Sequence, residues 1–511
     1  MQDRKRKLGL GSGGALLLAL TAASILALAF AVAGSAAPPY PPPAGNACQA
    51  DGQINGAGAT LQVAAQQIWI QGYTSDICGN VGPGTTFSNG VTNNTAVDYN
   101  LTNTLLDPPQ TLGTPNGSGA GRNLISCRGV PFSGSDTPYD TATLGQLNGT
   151  PGQVDANVWF PGTPTECSGG SLSTFTNPFY GTQGNYPFIG ASSALSDQTA
   201  NLMSFPVTGT AVAVGAYFAG TAGCPTQPQI TGTQLSGLFS GQTTNWNQLG
   251  GAFAGCNLAV RRDVRLDSSG TTQNFKNYLA AVDPNTVPAC ASGTGAASWT
   301  TLALNANNTV WPGQGGGTCS TLVRGHISGN LGVLDDCTGL NGEAAVAGTI
   351  CYADLPDFEN GLYQGVAGFD TAQLQAGATG SFVKPFNGHR ANCDLSGIKT
   401  PGSSPDGAVG LAAGDSWAFD NAGGNNAAVA NLGTGWPACA VTWDLVYAGT
   451  SQAASAATQP NRQLNNDMRR TLYSYMLYIL GSGQSLPTSD YYQTIPQGLL
   501  NQEISGFKSN Y

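Results

Sequence analysis

Apolar residues at helical spacing follow short glycine turns in the 511-residue chain. The turns are "GAGAT" at 56–60 and "SSGTT" at 268–272, and a third glycine-rich turn opens "GSGAGRNLI" at 117–125. The i, i+3, i+4, i+7 spacing predicts a helix after a turn, and the residues that show it are Leu61, Ala64, Ala65 and Ile68, then Phe275, Tyr278, Leu279 and Val282. "VDYNL" at 97–101 and "NLAV" at 257–260 are predicted strands. A small hydroxyl residue therefore lies at each predicted helix start.

The N-terminus has the pattern of an export signal. "RKRK" at 4–7 is followed by a long apolar run and then by "GSAAPPYPPP". This order is typical of a secretory signal peptide, predicted at 1–37, with a Pro-rich spacer at 38–47. The run also approaches membrane-spanning length, so an uncleaved anchor is the alternative. We expect a secreted protein, extracellular or at the cell surface.

Composition narrows the classes of function. The 511-residue length is enough for two or three domains, and 41% hydrophobic residues favour a folded protein. The net charge of −10 leaves no basic patch for a phosphate backbone, so nucleic acid is not expected as a partner. All 12 cysteines lie outside the leader, and an even number in an exported chain predicts disulfides. Only two histidines occur and no C-x-x-C pair, so neither a metal site nor any cofactor is expected.

One disulfide can be predicted from the order of elements. Cys224 follows the strand-like run "AVAVGAYF", and Cys256 precedes the predicted strand at 257–260. A strand, helix, strand unit would bring both cysteines to one edge of the same sheet, within bonding distance. We expect these two to pair.

The three helix starts together suggest an anion site. A helix N-terminus carries unpaired backbone N–H groups and partial positive charge, and the hydroxyls of Thr60, Ser118 and Ser269 would add further donors. Each turn alone is more often ordinary N-capping. Arg265 adds a planar fork of donors suited to an oxyanion, and Asp267 can hold that fork in place.

The same turns resemble a known family. "GAGAT", "GSGAG", "FSGSD" at 132–136 and "RLDSSGTT" at 265–272 are similar, in the same order, to the four ligand-contacting segments of phosphate-binding proteins that feed phosphate ABC importers. Segments at 205–218 and 435–447 resemble the family's crossing strands, and the segment at 348–356 resembles its Tyr-containing strand. Those at 468–481 and 495–507 resemble its C-terminal helices. The resemblance covers most of the chain after the leader.

The resemblance implies an α/β type II periplasmic-binding-protein fold with Gly/Asn-rich loop insertions at 141–185 and 357–434. Two lobes would be joined by two crossing strands, "TGTAVAV" at 208–214 and "CAVTWDL" at 439–445. Lobe one would comprise 48–207 plus 440–511, and lobe two 208–439. The implied function is capture of inorganic phosphate in the interlobe cleft for uptake, with an ABC importer membrane component as the protein partner.

The implied phosphate-binding residues follow from the family's motifs, with Leu61 replacing the usual phenylalanine at a main-chain contact. They are Thr60, Leu61, Ser118, Asp136, Arg265, Ser269, Gly270 and Thr271. Arg265 would be the main fixed cation. For the carboxylate, "IGASSALSD" at 189–197 competes with "FSGSD" and would put Ser193 in that position. The 18-residue separation of Asp136 from Ser118 matches the family's, which favours Asp136.

Two other functions can be weighed against phosphate capture. "GDSW" at 414–417 with His389 as base would suggest a serine hydrolase, but no G-x-S-x-G turn occurs, so we do not expect an enzyme. The stronger alternative is a secreted surface or matrix protein that keeps the binding fold with a modified or unused anion site. Retention of every polar residue type in the implied set argues against that alternative.

Overall fold

The computed structural model describes residues 52–79, short stretches between 84 and 136, most of 202–398, and 433–447 and 466–510. The predicted signal peptide and spacer, the insertion at 141–185, Ser193 and "GDSW" lie outside the described residues. None of the described helices is long and apolar enough to cross a membrane.

Within the described residues, nine strands form one mixed sheet. They are β1 (Ile54–Gly58), β2 (Val97–Tyr99), β3 (Phe132–Ser135), β4 (Leu202–Tyr217), β5 (Arg261–Arg265), β6 (Val323–His326), β7 (Thr349–Asp354), β8 (Phe369–Thr371) and β9 (Cys439–Tyr447). Their order in space is β6-β5-β7-β4-β9-β3-β1-β2, and β8 also pairs with β4. The pairs β1–β2, β1–β3, β5–β6 and β5–β7 are parallel, whereas β4 and β9 run antiparallel to their neighbours.

The long strand β4 connects the two halves of this sheet. Its first part pairs with β9 as far as Ala211, opposite Cys439, and its second part pairs with β7 from Val212, opposite Asp354. The two segments predicted as crossing strands, 208–214 and 439–445, thus lie beside each other as antiparallel neighbours. The division into lobes at the predicted boundaries stays a prediction.

Helices cover the ends and faces of the sheet. The longer ones are α1 (Val63–Tyr73), α2 (Gly232–Ser240), α3 (Gly270–Val282), α4 (Gly329–Thr338), α5 (Asn466–Leu480) and α6 (Gln497–Asn510). Single helical turns occur at Thr60–Gln62, Thr74–Cys78, Trp246–Leu249, Gly251–Phe253, Trp299–Leu302, Leu355–Phe358, Gly361–Gln364 and Leu486–Ser489. Short strands outside the main sheet occur at Thr85–Thr86, Thr92–Asn93, Gln229–Ile230, Thr286–Val287, Ala297–Ser298, Gln373–Gln375, Phe382–Val383, Phe386–Asn387 and Arg390–Ala391. The helices predicted after residues 60 and 269 and near the C-terminus are confirmed.

The strand predicted at 257–260 is wrong, because the chain enters the sheet at Arg261–Arg265 instead. This strand, "RRDVR", is mostly charged and yet largely buried. Arg262 donates to the carbonyls of Phe239 and Pro312 at 2.6 and 2.8 Å, and burial lowers its pKa to about 10. Hydrophobic periodicity does not detect this strand, because its buried arginine is stabilised by hydrogen bonds to carbonyl groups from distant segments and not by apolar packing.

The buried face of α1 also differs from the predicted one. Ala64 and Ile68 are only half-buried, while Gln62 and Gln66 are fully buried. Both amides donate to the Asp444 carboxyl of β9, at 3.1–3.2 Å. Burial raises the pKa of Asp444 to about 7, and the hydrogen bonds from the two glutamines oppose that shift. The helix is therefore rotated to present amides to a buried acid.

The segment at 357–434 is regular structure in its described part. Residues 361–398 contain a helical turn and five short strands, and β8 joins the main sheet beside β4. Phe369 and Leu374 are buried there. The prediction of a loop insertion missed this structure because short strands separated by glycines leave little periodicity.

The predicted disulfide Cys224–Cys256 is confirmed. In the sheet, β7 lies between β4 and β5, so the two cysteines meet at the ends of strands that are not direct neighbours. Cys337–Cys351 and Cys393–Cys439 also form, and Cys78 is disulfide-bonded. Every cysteine in the described part of the chain is thus oxidised.

A buried acid in α6 leads to a stability prediction. Glu503 is fully buried, and neither carboxyl oxygen has a hydrogen-bond partner among the described residues. Burial raises its pKa well above the ordinary value, so it stays protonated in the folded protein and ionises on unfolding. Its contribution to stability therefore falls as pH rises above the ordinary glutamate pKa of about 4.3. We expect Glu503→Leu to raise the free energy of unfolding by about 1–3 kcal/mol at neutral pH.

Denaturant titration near pH 4 and pH 7 measures this effect, which should be smaller at the lower pH. Gln502→Leu, on the exposed side of the same helix, is the matched control and should change little. A loss of stability in Glu503→Leu at both pH values would contradict the prediction.

Candidate anion site

The first element of the site is the helical turn Thr60–Gln62, which leads directly into α1. Gly58 ends β1 with φ +140°, and a side chain there would collide with the Gly134 carbonyl oxygen. The amide of Ala59 donates to that same oxygen at 2.9 Å, which fixes the turn against β3. Ala59 is the N-cap residue of this turn, and its methyl group cannot accept a hydrogen bond. The backbone N–H groups of Thr60 and Leu61 are thus uncapped by the preceding residue, and helix starts of this kind favour anions.

The second element joins Ser118 to Asp136, and both are buried. The Ser118 hydroxyl donates to Asp136 Oδ2 at 2.9 Å and accepts from the Asp136 backbone amide at 3.0 Å. Asp136 follows β3 directly. These bonds hold its carboxyl at the end of the strand, beside the start of α1.

The third element is the start of α3. The Ser269 hydroxyl caps the helix by accepting from the Thr272 amide at 3.2 Å. Gly270 lies so close to the second element that an added Cβ would fall 2.5 Å from Ser118 Oγ. Further along the helix, Asn274 donates to the Asp136 carbonyl at 3.2 Å. Glycine at 270 therefore lets α3 approach Ser118 and Asp136.

Arg265, at the end of β5, joins these elements. Its Nε donates to Asp267 Oδ1 at 2.9 Å, and its Nη2 pairs with Asp267 Oδ2. Its Nη1 lies 3.4 Å from the Thr60 hydroxyl and 3.5 Å from the Thr271 hydroxyl. The guanidinium thus faces hydroxyls from two helix starts that are far apart in sequence.

The structure therefore brings the predicted residues together, and Asp267 holds Arg265 as the sequence suggests. Leu61 lies beside Thr60, and its carbonyl accepts from the Tyr492 hydroxyl at 2.7 Å. Ser193, the competitor of Asp136, lies outside the described residues. What these side chains bind stays a prediction.

Burial sets the charges at the site. Burial acts to lower the pKa of Arg265, but the neighbouring Asp267 outweighs it, so the pKa is raised and the cation is permanent. Burial raises the pKa of Asp136 to about 7, against the opposing effects of hydrogen bonds from Ser118 and Thr442 and the charge of Arg265. The site thus combines a fixed cation with a carboxyl that can exchange a proton near neutral pH.

Sequence reasoning missed several residues that support Arg265. Asn330 accepts from its Nη1 at 3.0 Å, the Trp311 indole donates to its carbonyl at 3.0 Å, and Tyr352 contacts its amide at 3.3 Å. Tyr352 lies in the segment that resembles the family's Tyr-containing strand, which is a partial signal. Asn330 and Trp311 show no sequence signal, because no motif around them indicates a contact with β5.

No described cluster of histidine, cysteine, aspartate or glutamate is arranged to hold a metal ion. The polar groups at the site are instead hydroxyls, an arginine and a carboxyl.

Part of the chain matches the model of a known protein superfamily. Residues 169–364 match the model of the PBP superfamily domain. The predicted α/β fold of the periplasmic-binding-protein type is confirmed. The PBP superfamily match contains Arg265, the start of α3 and Asn330, whereas Thr60, Ser118 and Asp136 lie before it.

Solved structures include similar proteins. One is a phosphate-binding protein from Stenotrophomonas maltophilia, at 13% identity and TM-score 0.47 over 89% of this chain and 93% of that chain. A human phosphate-binding apolipoprotein is similar at 17% identity and TM-score 0.46, over 88% and 93%. An ABC-type phosphate transport receptor from Vibrio cholerae is similar at 12% identity and TM-score 0.36, over 87% and 100%. No curated protein sequence matches the chain.

Proposed function

We propose that this protein binds inorganic phosphate at the anion site and does not catalyse a reaction. The observation that carries the proposal is the position of Arg265, whose buried guanidinium faces Thr60 and Thr271 while Asp267 holds its other edge. Arginine held in this way presents a planar pair of donors, which suits a tetrahedral oxyanion. The backbone N–H groups of Thr60 and Leu61, which Ala59 cannot cap, add donors from another direction.

Asp136 directs the choice of anion toward phosphate. A carboxylate can only accept, so it favours an oxyanion that carries a proton. Near neutral pH phosphate has such a proton and sulfate has none. Asp136 is buried, and its carboxyl is held by the Ser118 hydroxyl. In the proposed site, Arg265 and the backbone N–H groups donate hydrogen bonds to phosphate. The Asp136 carboxylate accepts a hydrogen bond from the protonated phosphate oxygen.

The proposed setting is outside the cytoplasm. The N-terminal pattern supports export through a signal peptide, and disulfides at all described cysteines suit an oxidising compartment. We propose that the protein captures phosphate for uptake and delivers it to the membrane component of an ABC importer. Closure of the two predicted lobes over the ligand would be the means of capture.

Calorimetry of the purified, exported protein with phosphate tests the proposed function. We expect one phosphate per chain and much weaker binding of sulfate at pH 8. Phosphate-free protein, prepared by partial unfolding and dialysis, is needed so that carried-over ligand does not mask the titration. Absence of phosphate binding by such protein would contradict the proposal and would favour the surface-protein alternative.

A further inference from the structure

Most of the donors of Arg265 are held by protein acceptors. A guanidinium has five N–H groups. The Nε group and one Nη2 group bind Asp267, and one Nη1 group binds Asn330 Oδ1 at 3.0 Å. The hydroxyls of Thr60 and Thr271 lie at 3.4 and 3.5 Å, at the long end of the hydrogen-bond range. Of the two remaining N–H groups, the one on Nη1 is therefore directed toward these two hydroxyls.

The amide of Asn330 has one orientation that satisfies both neighbours. Its Oδ1 faces the guanidinium, which can only donate, and its Nδ2 donates to Asp357 Oδ2 at 3.1 Å. The reversed amide would place donor against donor and acceptor against acceptor. Asp357 thus determines which atom Asn330 presents to Arg265.

Asp357 is itself held from a second side by Asp354. The Asp354 carboxyl is buried, and its pKa is raised well above the ordinary value by burial and then by Asp357, with which it shares a hydrogen bond. A protonated Asp354 donates to Asp357. The Asp357 carboxyl is therefore an acceptor for two donors, which strengthens its hold on the amide of Asn330.

Asn330 is also fixed by its backbone. It is the second residue of α4, which begins at Gly329 with φ +72° and contacts β7. Asn330 as a whole is 2% exposed. A short amide on a packed helix loses little freedom when it binds, so it can hold a guanidinium edge at low entropic cost.

We infer that Asn330 is a positioning residue for the anion site, with Asp357 setting the orientation of its amide. Asp267 and Asn330 hold two edges of the Arg265 guanidinium and leave the third facing the ligand. The inference rests on the proposed function, because the ligand is taken to be phosphate. Asn330 lies on α4, outside the predicted set of phosphate-binding residues, and affects the affinity for phosphate only through Arg265.

Exchange of the two side chains tests the inference by calorimetry with phosphate. In Asn330→Asp the new carboxylate still accepts from Arg265 but meets Asp357 with no donor between them. We expect affinity to fall by about ten- to a hundredfold. In the double variant Asn330→Asp/Asp357→Asn, the amide introduced at 357 donates to the carboxylate introduced at 330. The pairing is restored at unchanged net charge, and we expect at least a severalfold recovery over the single variant.

Asn330→Ala gives a second measure and should weaken binding by roughly tenfold. Leu331→Ala, at a residue of the same helix that is 49% exposed, is the matched control and should bind like the parent. If the parent does not bind phosphate, the proposed function itself fails. If the parent binds but both single Asn330 variants match it, or if the double variant binds no better than Asn330→Asp, the inference is overturned.

Discussion

Arg265→Ala is expected to weaken phosphate binding by roughly tens to thousands of fold, the equivalent of ~2–5 kcal/mol for one partner of a buried charge pair. The side chain is fully buried and is the cation that faces the hydroxyls of Thr60 and Thr271. Its removal leaves the anion opposite Asp267 with no intervening cation. Calorimetry with phosphate measures the loss.

The control for this variant is Arg390→Ala, which removes the same charge from an exposed position and should bind phosphate like the parent. Because Arg265 is buried in a pair with Asp267, the alanine variant is also expected to lose stability. Thermal melting therefore accompanies the titration, and Arg265→Lys supplies a variant that keeps the charge but not the fork. Parental affinity in folded Arg265→Ala would place the ligand elsewhere.

Asp136→Asn is expected to lower the preference for phosphate over sulfate by about ten- to a hundredfold, the equivalent of one charge-assisted hydrogen bond. The carboxylate can accept a proton-mediated bond from phosphate but repels sulfate, whereas the amide of asparagine can donate to either anion. Competition binding with both anions at pH 8 measures the ratio. Ser193→Ala should leave it unchanged, and a change in that variant alone would reverse the assignment of the carboxylate.

The pH dependence supplies a second test of Asp136. Since burial raises its pKa to about 7, the carboxyl is mostly ionised at pH 8 and mostly protonated at pH 6. A protonated carboxyl donates, so sulfate affinity of the parent should rise as pH falls through about 7. In Asp136→Asn this rise should be lost. A rise that persists unchanged in the variant would assign the proton to another group.

Local sequence was sufficient to predict the helix starts near residues 60 and 269, whereas the helix predicted after 117–121 stays a prediction. Glycine at 58 and 270 and the hydroxyls beside them follow from rules that act within a few residues, namely turn geometry and capping. The apolar spacing after each turn predicted α1 and α3 because helices bury one face. The order of strand-like segments along the chain also predicted the bond Cys224–Cys256, although β7 lies between β4 and β5 and the second strand begins only at Arg261.

The tertiary structure decided what each helix start faces. Thr60 and Arg265 are 205 residues apart, and only the pairing of β4 with both β9 and β7 joins the strands that carry them. Hydrophobic periodicity did not predict the charged strand β5 or the burial of Gln62 and Gln66. Their partners, the Phe239 carbonyl and Asp444, belong to distant segments. The role of Asn330 could not be predicted for the same reason, because its partner Arg265 lies 65 residues away. Apolar burial leaves a local pattern in the sequence, whereas a buried polar group is stabilised by a specific partner that only the fold supplies.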